Sequence, residues 1–195
     1  MTESETSTVA TDVPLLPEDN PAPAVCHTRP KVVLVGPPGA GKTTIGRRLG
    51  RALSLPLVDS DQLIEQESGR PCGSVFAELG EQAFRELEAR HVADALATGG
   101  VVSLGGGAIL TESTRALLSQ HTVVWIDISA DEGIRRTSGD NSRPVLESMD
   151  PAAHYRRLLD TRGPYYREVA DHRVRSDRRT PQQIVADVLS FLESL

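Results

Sequence analysis

The sequence predicts an α/β protein: one three-layer α/β/α domain built on a five-stranded parallel sheet. Three observations lead there. Short apolar, β-branched runs recur from Lys31 onward. Each is apolar on both of its faces, as a strand buried inside a parallel sheet must be. Amphipathic stretches with helical spacing separate them, so the chain reads as repeated β-α units whose helices cover both faces of the sheet.

The elements follow in order. "KVVLVG" is the first strand, and after a glycine-rich turn "KTTIGRRLGRAL" places Ile45, Leu49 and Leu53 on one helical face. "LPLVDS" is the second strand, and "LVDSDQLIE" carries the chain from it into the start of a helix. A helix over residues 81–97 sets Phe84 and Leu87 on a shared face, "VVSLGGG" is a third strand, and residues 113–119 form a short helix. "TVVWIDIS" is the fourth strand and "DHRVRS" a short fifth, before a closing helix over residues 181–192. In "GRPCGSVFAELG", Cys72 and Gly73 stand where helix formers are more usual, and Gly73 sets the start of that helix against a local cost of about 1 kcal/mol relative to alanine.

Composition narrows the class. The 195 residues carry a formal charge of −6, but the first 28 hold five acids and no Lys or Arg, so from Arg29 onward 21 basic residues face 22 acidic ones. A near-neutral body lacks the basic footprint of a nucleic-acid or anionic-membrane binder. The opening segment is rich in Ser, Thr, Pro and acids without periodicity, so residues 1–29 are expected to be a disordered tail ahead of a single domain over residues 30–195. That tail has the pattern of neither a signal peptide nor a transit peptide. No apolar run approaches the roughly 20 residues of a membrane span. Cys26 and Cys72 support neither a disulfide framework nor a zinc spacing, and the five histidines show no ligand spacing. A cytoplasmic protein is expected.

The strongest chemistry lies in "GPPGAGKTT", residues 36–44, which fits G-x-x-x-x-G-K-[ST] between a strand and a helix. Backbone N–H groups and the helix N-terminus present uncompensated positive partial charge, a cradle for phosphate oxygens. Gly39 and Gly41 let the loop curl, Lys42 reaches the β- and γ-phosphates, and Thr43 offers a hydroxyl to Mg²⁺. Ala40 and Thr44 complete the nucleotide-binding run. The chain has no N-K-x-D for reading guanine, and "VVSLGGG" ends in glycines where a transport or motor ATPase would carry an acid. Both absences favour a small-molecule kinase. Locally, Asp59 and Asp61 fit a metal site, a catalytic pair or, for Asp61, a helix cap. On an extended backbone positions i and i+2 point the same way, so both can face one cleft.

With "GPPGAGKTTIGRRL", "DSD", "GEQAFRELE", "SLGGGA", an "RP" in a polar turn-rich segment, and "RGPYY" in that order, the chain from about Lys31 to its end resembles the shikimate kinase family. The resemblance implies the nucleoside monophosphate kinase type of P-loop fold, a lid at about 138–149, and ATP-dependent phosphorylation of the shikimate 3-hydroxyl on the way to chorismate and the aromatic amino acids. It also implies a monomer using one Mg²⁺. Matched to the family's motifs, Asp59 joins Thr43 at the metal and Asp61 holds the attacking hydroxyl. Arg85 and Arg162 contact the substrate, with Gly106 and its neighbour Gly107 beneath it. Arg143 is the lid arginine that stabilises the transferring phosphoryl, and its loss should cost orders of magnitude in turnover with the fold intact. Arg136 and Arg179 match positions near the adenine. Physically, Glu88, three residues after Arg85, can hold the guanidinium in place, and a planar guanidinium fork suits a carboxylate in a way lysine does not. The alternatives are a kinase for another small hydroxyacid such as gluconate and a nucleotide-binding regulator without transfer activity.

Overall fold

The computed structural model describes residues 28–138 and 150–195. The tail before Thr28 and the segment 139–149, with Arg143 and nearly all of the expected lid, lie outside the described residues. Five parallel strands form one sheet: β1 (Pro30–Val35), β2 (Leu57–Asp59), β3 (Gly100–Ser103), β4 (Val123–Asp127) and β5 (His172–Arg175), in the order β2-β3-β1-β4-β5.

Strand alternation sends successive side chains to opposite faces, and both faces are apolar. Val32, Leu34, Val101, Val124, Ile126 and Val174 pack against Ile45 and Leu49 of α1 (Lys42–Leu53) and Ile184 and Val188 of α7 (Pro181–Glu193). On the other face Val33, Val35, Val102, Val123 and Trp125 meet Val92 and Leu96 of α3 (Cys72–Leu96), Leu118 of α4 (Glu112–Leu118), and Tyr166 of α6 (Pro151–Val169). A smaller cluster of Ile64, Val75 and Phe84 binds α2 (Ser60–Ser68) to α3. Helix α5 (Ala130–Thr137) follows β4.

The sequence periodicity found α1 at both of its ends. It placed the start of α3 too late. Gly73 lies in the first turn of α3, where N–H groups have no intrahelical partner in any case, so its cost there does not prevent the helix from starting at Cys72. The break falls at Gly80, whose φ of 75° and ψ of 171° interrupt the helix. Only a residue without Cβ adopts that conformation readily, and the regular helix resumes at Glu81, where the periodic signal begins.

At the N-terminal boundary Thr28 donates its hydroxyl to the carbonyl of Ala97 at 3.1 Å. Among the described residues no helix is long and apolar enough to cross a membrane.

Candidate active site

Strand order brings the motifs together. The phosphate loop leaves β1, the glycine turn leaves β3, and Asp59 ends β2; these three strands are neighbours. Ligands in open parallel sheets bind at this edge, beyond the C-terminal ends of the strands.

The phosphate loop is wound tightly. Gly39 and Gly41 take φ of 77° and 93°, the left-handed region open to glycine, and Ala40 is buried with its N–H donating to the Pro37 carbonyl at 3.3 Å. Lys42 is buried, and its ammonium donates to the carbonyls of Gly36 at 2.8 Å and Pro37 at 3.2 Å, so it lies folded across the loop. Thr44 is exposed on the first turn of α1.

Asp59 and Asp61 divide their work differently from a simple i, i+2 pair. Asp59 is the last residue of β2 and the N-cap of α2: one carboxylate oxygen accepts from the Asp61 N–H at 3.1 Å. The other accepts from the Thr43 hydroxyl at 2.8 Å. The helix cap, one of the local readings open to Asp61, therefore falls to Asp59. Asp61 lies in the first helical turn, so strand alternation does not set its direction. Its carboxylate nonetheless reaches the glycine turn, because a Cβ on Gly105 would collide with Asp61 Oδ1 and stand 2.9 Å from Glu88 Oε1.

The glycine turn is the floor of a second, charged compartment. A Cβ on Gly107 would collide with the Arg85 guanidinium. Arg85 donates Nη1 to Glu88 Oε2 at 2.5 Å, the holding contact that the three-residue spacing predicts, while its buried Nε has no acceptor among the described residues. Glu88 is 3% exposed. Burial pushes its carboxyl above the usual range, opposed by Arg85. Arg162, 9% exposed, donates Nη1 to the Gly106 carbonyl at 2.9 Å. Two guanidinium groups and two carboxylates thus surround three glycines, and an added carboxylate would find forked donors on two sides.

The two nucleotide-side arginines part company. Arg136 donates to the carbonyl of Gly39 at 3.3 Å and that of Ser176 at 3.1 Å, which puts it against the phosphate loop. Hydrogen bonds from Arg135 and Arg136 hold the Glu132 carboxyl down at about 2. Arg179 is turned to α7, where it bonds Asp187 Oδ2 at 2.8 Å and the Gln183 carbonyl at 3.0 Å.

Sequence reading overlooked three polar residues here. The Ser60 hydroxyl, fully buried, accepts the Gly105 N–H at 2.9 Å and pins the start of the turn. Tyr155 donates to the Pro38 carbonyl and Tyr166 to the Gly106 carbonyl, each at 2.6 Å. Ser60 sits inside "DSD" and Tyr166 inside "RGPYY", but a hydroxyl that bonds a distant backbone leaves no local signature.

Cys72 supplies a check on the electrostatics. Its thiol bonds the Asp61 carbonyl at 3.3 Å, and burial, followed by the Asp61 charge, pushes it up to about 12. Only the thiolate alkylates quickly. In a Cys26→Ser background, iodoacetamide at pH 8 should modify Cys72 roughly 10²- to 10³-fold more slowly than free cysteine, read by intact mass. Alkylation at the rate of free cysteine would contradict this environment.

The family model described as "Shikimate kinase" matches residues 38–193. The chain belongs to the shikimate kinase family. A shikimate kinase of Corynebacterium efficiens is 67% identical over 165 residues, covering 85% of this chain and 98% of that protein. Among solved structures, the shikimate kinase from Acinetobacter baumannii in complex with shikimate superposes with a TM-score of 0.81 at 33% identity, covering 86% of this chain and 94% of that one. A gluconokinase from Sinorhizobium meliloti shares the fold, with a TM-score of 0.53 at 19% identity, covering 84% of this chain and 91% of that one. The P-loop fold of the nucleoside monophosphate kinase type and the kinase class expected from the sequence both stand, and family membership makes ATP the co-substrate.

Proposed function

We infer that this chain transfers the γ-phosphoryl group of ATP to the 3-hydroxyl of shikimate, giving shikimate 3-phosphate and ADP for chorismate and aromatic amino acid synthesis. The observation that carries the reading is the shared wall between the two compartments. A Cβ on Gly106 would stand 3.1 Å from Pro38 Cδ and 3.4 Å from the Gly36 carbonyl oxygen, so the acceptor floor rests on the phosphate loop. Donor and acceptor bound on either side of that contact are held close for direct transfer, and such positioning is most of what phosphoryl transfer asks of a protein.

Each residue then has a task. Gly39, Ala40, Gly41, Lys42, Thr43 and Thr44 hold the nucleotide phosphates, with Lys42 turning from the loop carbonyls to the phosphate oxygens. Arg136 supports the nucleotide side beside Gly39; Arg179 is assigned to the adenine end by its family position alone. Arg85 and Arg162 clamp the shikimate carboxylate, and Gly106 and Gly107 let the ring approach the backbone. Asp61 orients the attacking hydroxyl and accepts its proton. Arg143 acts from the lid on the transferring phosphoryl.

Thr43 and Asp59 suit Mg²⁺. They are hard oxygen donors 2.8 Å apart at the cradle, and Mg²⁺ binds through one or two protein oxygens together with phosphates and water. When bound, a single Mg²⁺ neutralises charge on the phosphate oxygens. By the same family resemblance we assign a cytoplasmic monomer.

A coupled assay of ADP release tests the function, run with shikimate, with gluconate and with neither. Shikimate-dependent release is expected. Release with shikimate no faster than with water alone would reject the reading, and a response to gluconate only would replace the substrate.

A further inference from the structure

Helix α6 presents three polar side chains to the backbone of the two glycine loops: Tyr155 to the Pro38 carbonyl at 2.6 Å, Arg162 to the Gly106 carbonyl at 2.9 Å, and Tyr166 to the same carbonyl at 2.6 Å. Both tyrosines are almost wholly buried, at 0% and 1% exposure. They lie eleven positions apart, about three turns, and so share one face of the helix. The two carbonyls they hold belong to the residues that touch where the loops meet, Pro38 and Gly106.

We propose that Tyr155 and Tyr166 are positioning residues: α6 is a strut that sets the donor loop against the acceptor loop, Tyr155 by holding Pro38 and Tyr166 by holding Gly106. The proposal rests on the reading of the site given above and adds two residues to it.

The contacts are built rather than incidental. Tyr155 reaches Pro38 past α5 only because residue 133 is glycine; a Cβ there would collide with the phenol oxygen and ring. The same stretch of α5 packs on the loop itself, since a Cβ on Gly39 would lie 3.0 Å from Thr137 Cγ2 and 3.4 Å from the Gly133 carbonyl. At the other end Tyr166 stacks on Trp125 of β4, with ring centres 5.6 Å apart and an interplanar angle of 23°. Arg173 also packs on Trp125, 4.5 Å from the centre of the indole, and is tied to the buried Asp127 at 3.0 Å. Burial pushes the Tyr166 hydroxyl well above the ordinary phenol range, so it stays a donor to Gly106.

A hydrogen bond to a carbonyl fixes the tilt of its peptide plane. The same peptide plane carries the N–H that follows, Gly107 after the Gly106 carbonyl and Gly39 after the Pro38 carbonyl, so each tyrosine also fixes the direction of one glycine-loop donor. Misplacement of reacting groups by about 1 Å can cost about 10²-fold in rate, so two rigid phenols anchored on one helix have catalytic leverage without touching a substrate.

The test is steady-state kinetics on Tyr155→Phe, Tyr166→Phe and a packing control on the same helix, Leu158→Ala, with thermal melting recorded for each. Tyr166→Phe should raise KM for shikimate about threefold to tenfold and leave KM for ATP within about twofold, the size expected for one lost hydrogen bond. Tyr155→Phe should show the opposite split. Leu158→Ala should lower Tm without splitting the two constants. Equal movement of both KM values in each tyrosine variant, or movement in neither, overturns the proposal.

Hydrogen–deuterium exchange on the folded variants gives an answer independent of activity. Tyr166→Phe should speed exchange in residues 105–107, and Tyr155→Phe in residues 37–41. Wild-type protein without shikimate-dependent turnover would reject the substrate, and the exchange pattern alone would then decide the strut. Unchanged exchange in both loops would overturn it.

Discussion

Asp61→Asn is expected to lower kcat by about 10²-fold or more, the range for a lost general base, while KM for ATP changes little. Asparagine is nearly isosteric, the cap on α2 comes from Asp59 and not from Asp61, and the Asp61 N–H that Asp59 accepts is untouched, so the helix should survive. What disappears is the negative charge against Gly105, the charge that the proposed function sets against the acceptor hydroxyl. The magnitude discriminates between two roles. A carboxylate is a weak base, and a loose phosphoryl-transfer transition state asks mainly for alignment. Near-normal kcat in the variant would remove proton acceptance from Asp61 and leave orientation only. Single-turnover measurements should accompany kcat, so that slow product release does not hide a slower chemical step.

Arg162→Ala should raise KM for shikimate by about 30-fold or more, with a far smaller change for ATP. The size follows from truncating one side of a buried charged pair, about 2 kcal/mol at least. Arg162 is 9% exposed and already spends one N–H on Gly106, so its removal loses a forked donor and loosens the floor together. Arg162→Lys separates these effects: it keeps the charge, loses the fork, and should fall between alanine and wild type. Equal effects on the two KM values would argue against a carboxylate clamp.

Much of the site was legible because its motifs are local. A phosphate loop is a continuous run in which glycine spacing, one lysine and one hydroxyl carry the chemistry, and "GPPGAGKTT" shows all of it. Arg85 and Glu88 were readable as a pair because helical geometry places positions three apart side by side, and the structure gives them a 2.5 Å bond. Asp59 and Asp61 were readable as a pair, and the family motif separated their tasks, but their local pattern did not say which of them caps α2. The strand stops at Asp59, one residue before the end of the "LPLVDS" read as strand, and that one residue puts the cap on the first acid. Arg136 and Arg179 look alike in sequence, yet one bonds the phosphate loop and the other α7, because their surroundings come from distant segments.

By itself the sequence determined the α/β class, four apolar strands and a short polar fifth, the phosphate cradle and the ordered marks of the family, since backbone preference, periodicity and motif spacing are all written within a few residues. Only the tertiary structure decided that β1 lies between β3 and β4, that Gly106 rests on Pro38, and that α6 sends Tyr155, Arg162 and Tyr166 to the backbones of two separate loops. Those relations join residues up to 117 positions apart. They arise from burying two apolar faces of one sheet at once, a constraint on the whole chain rather than on any part of it.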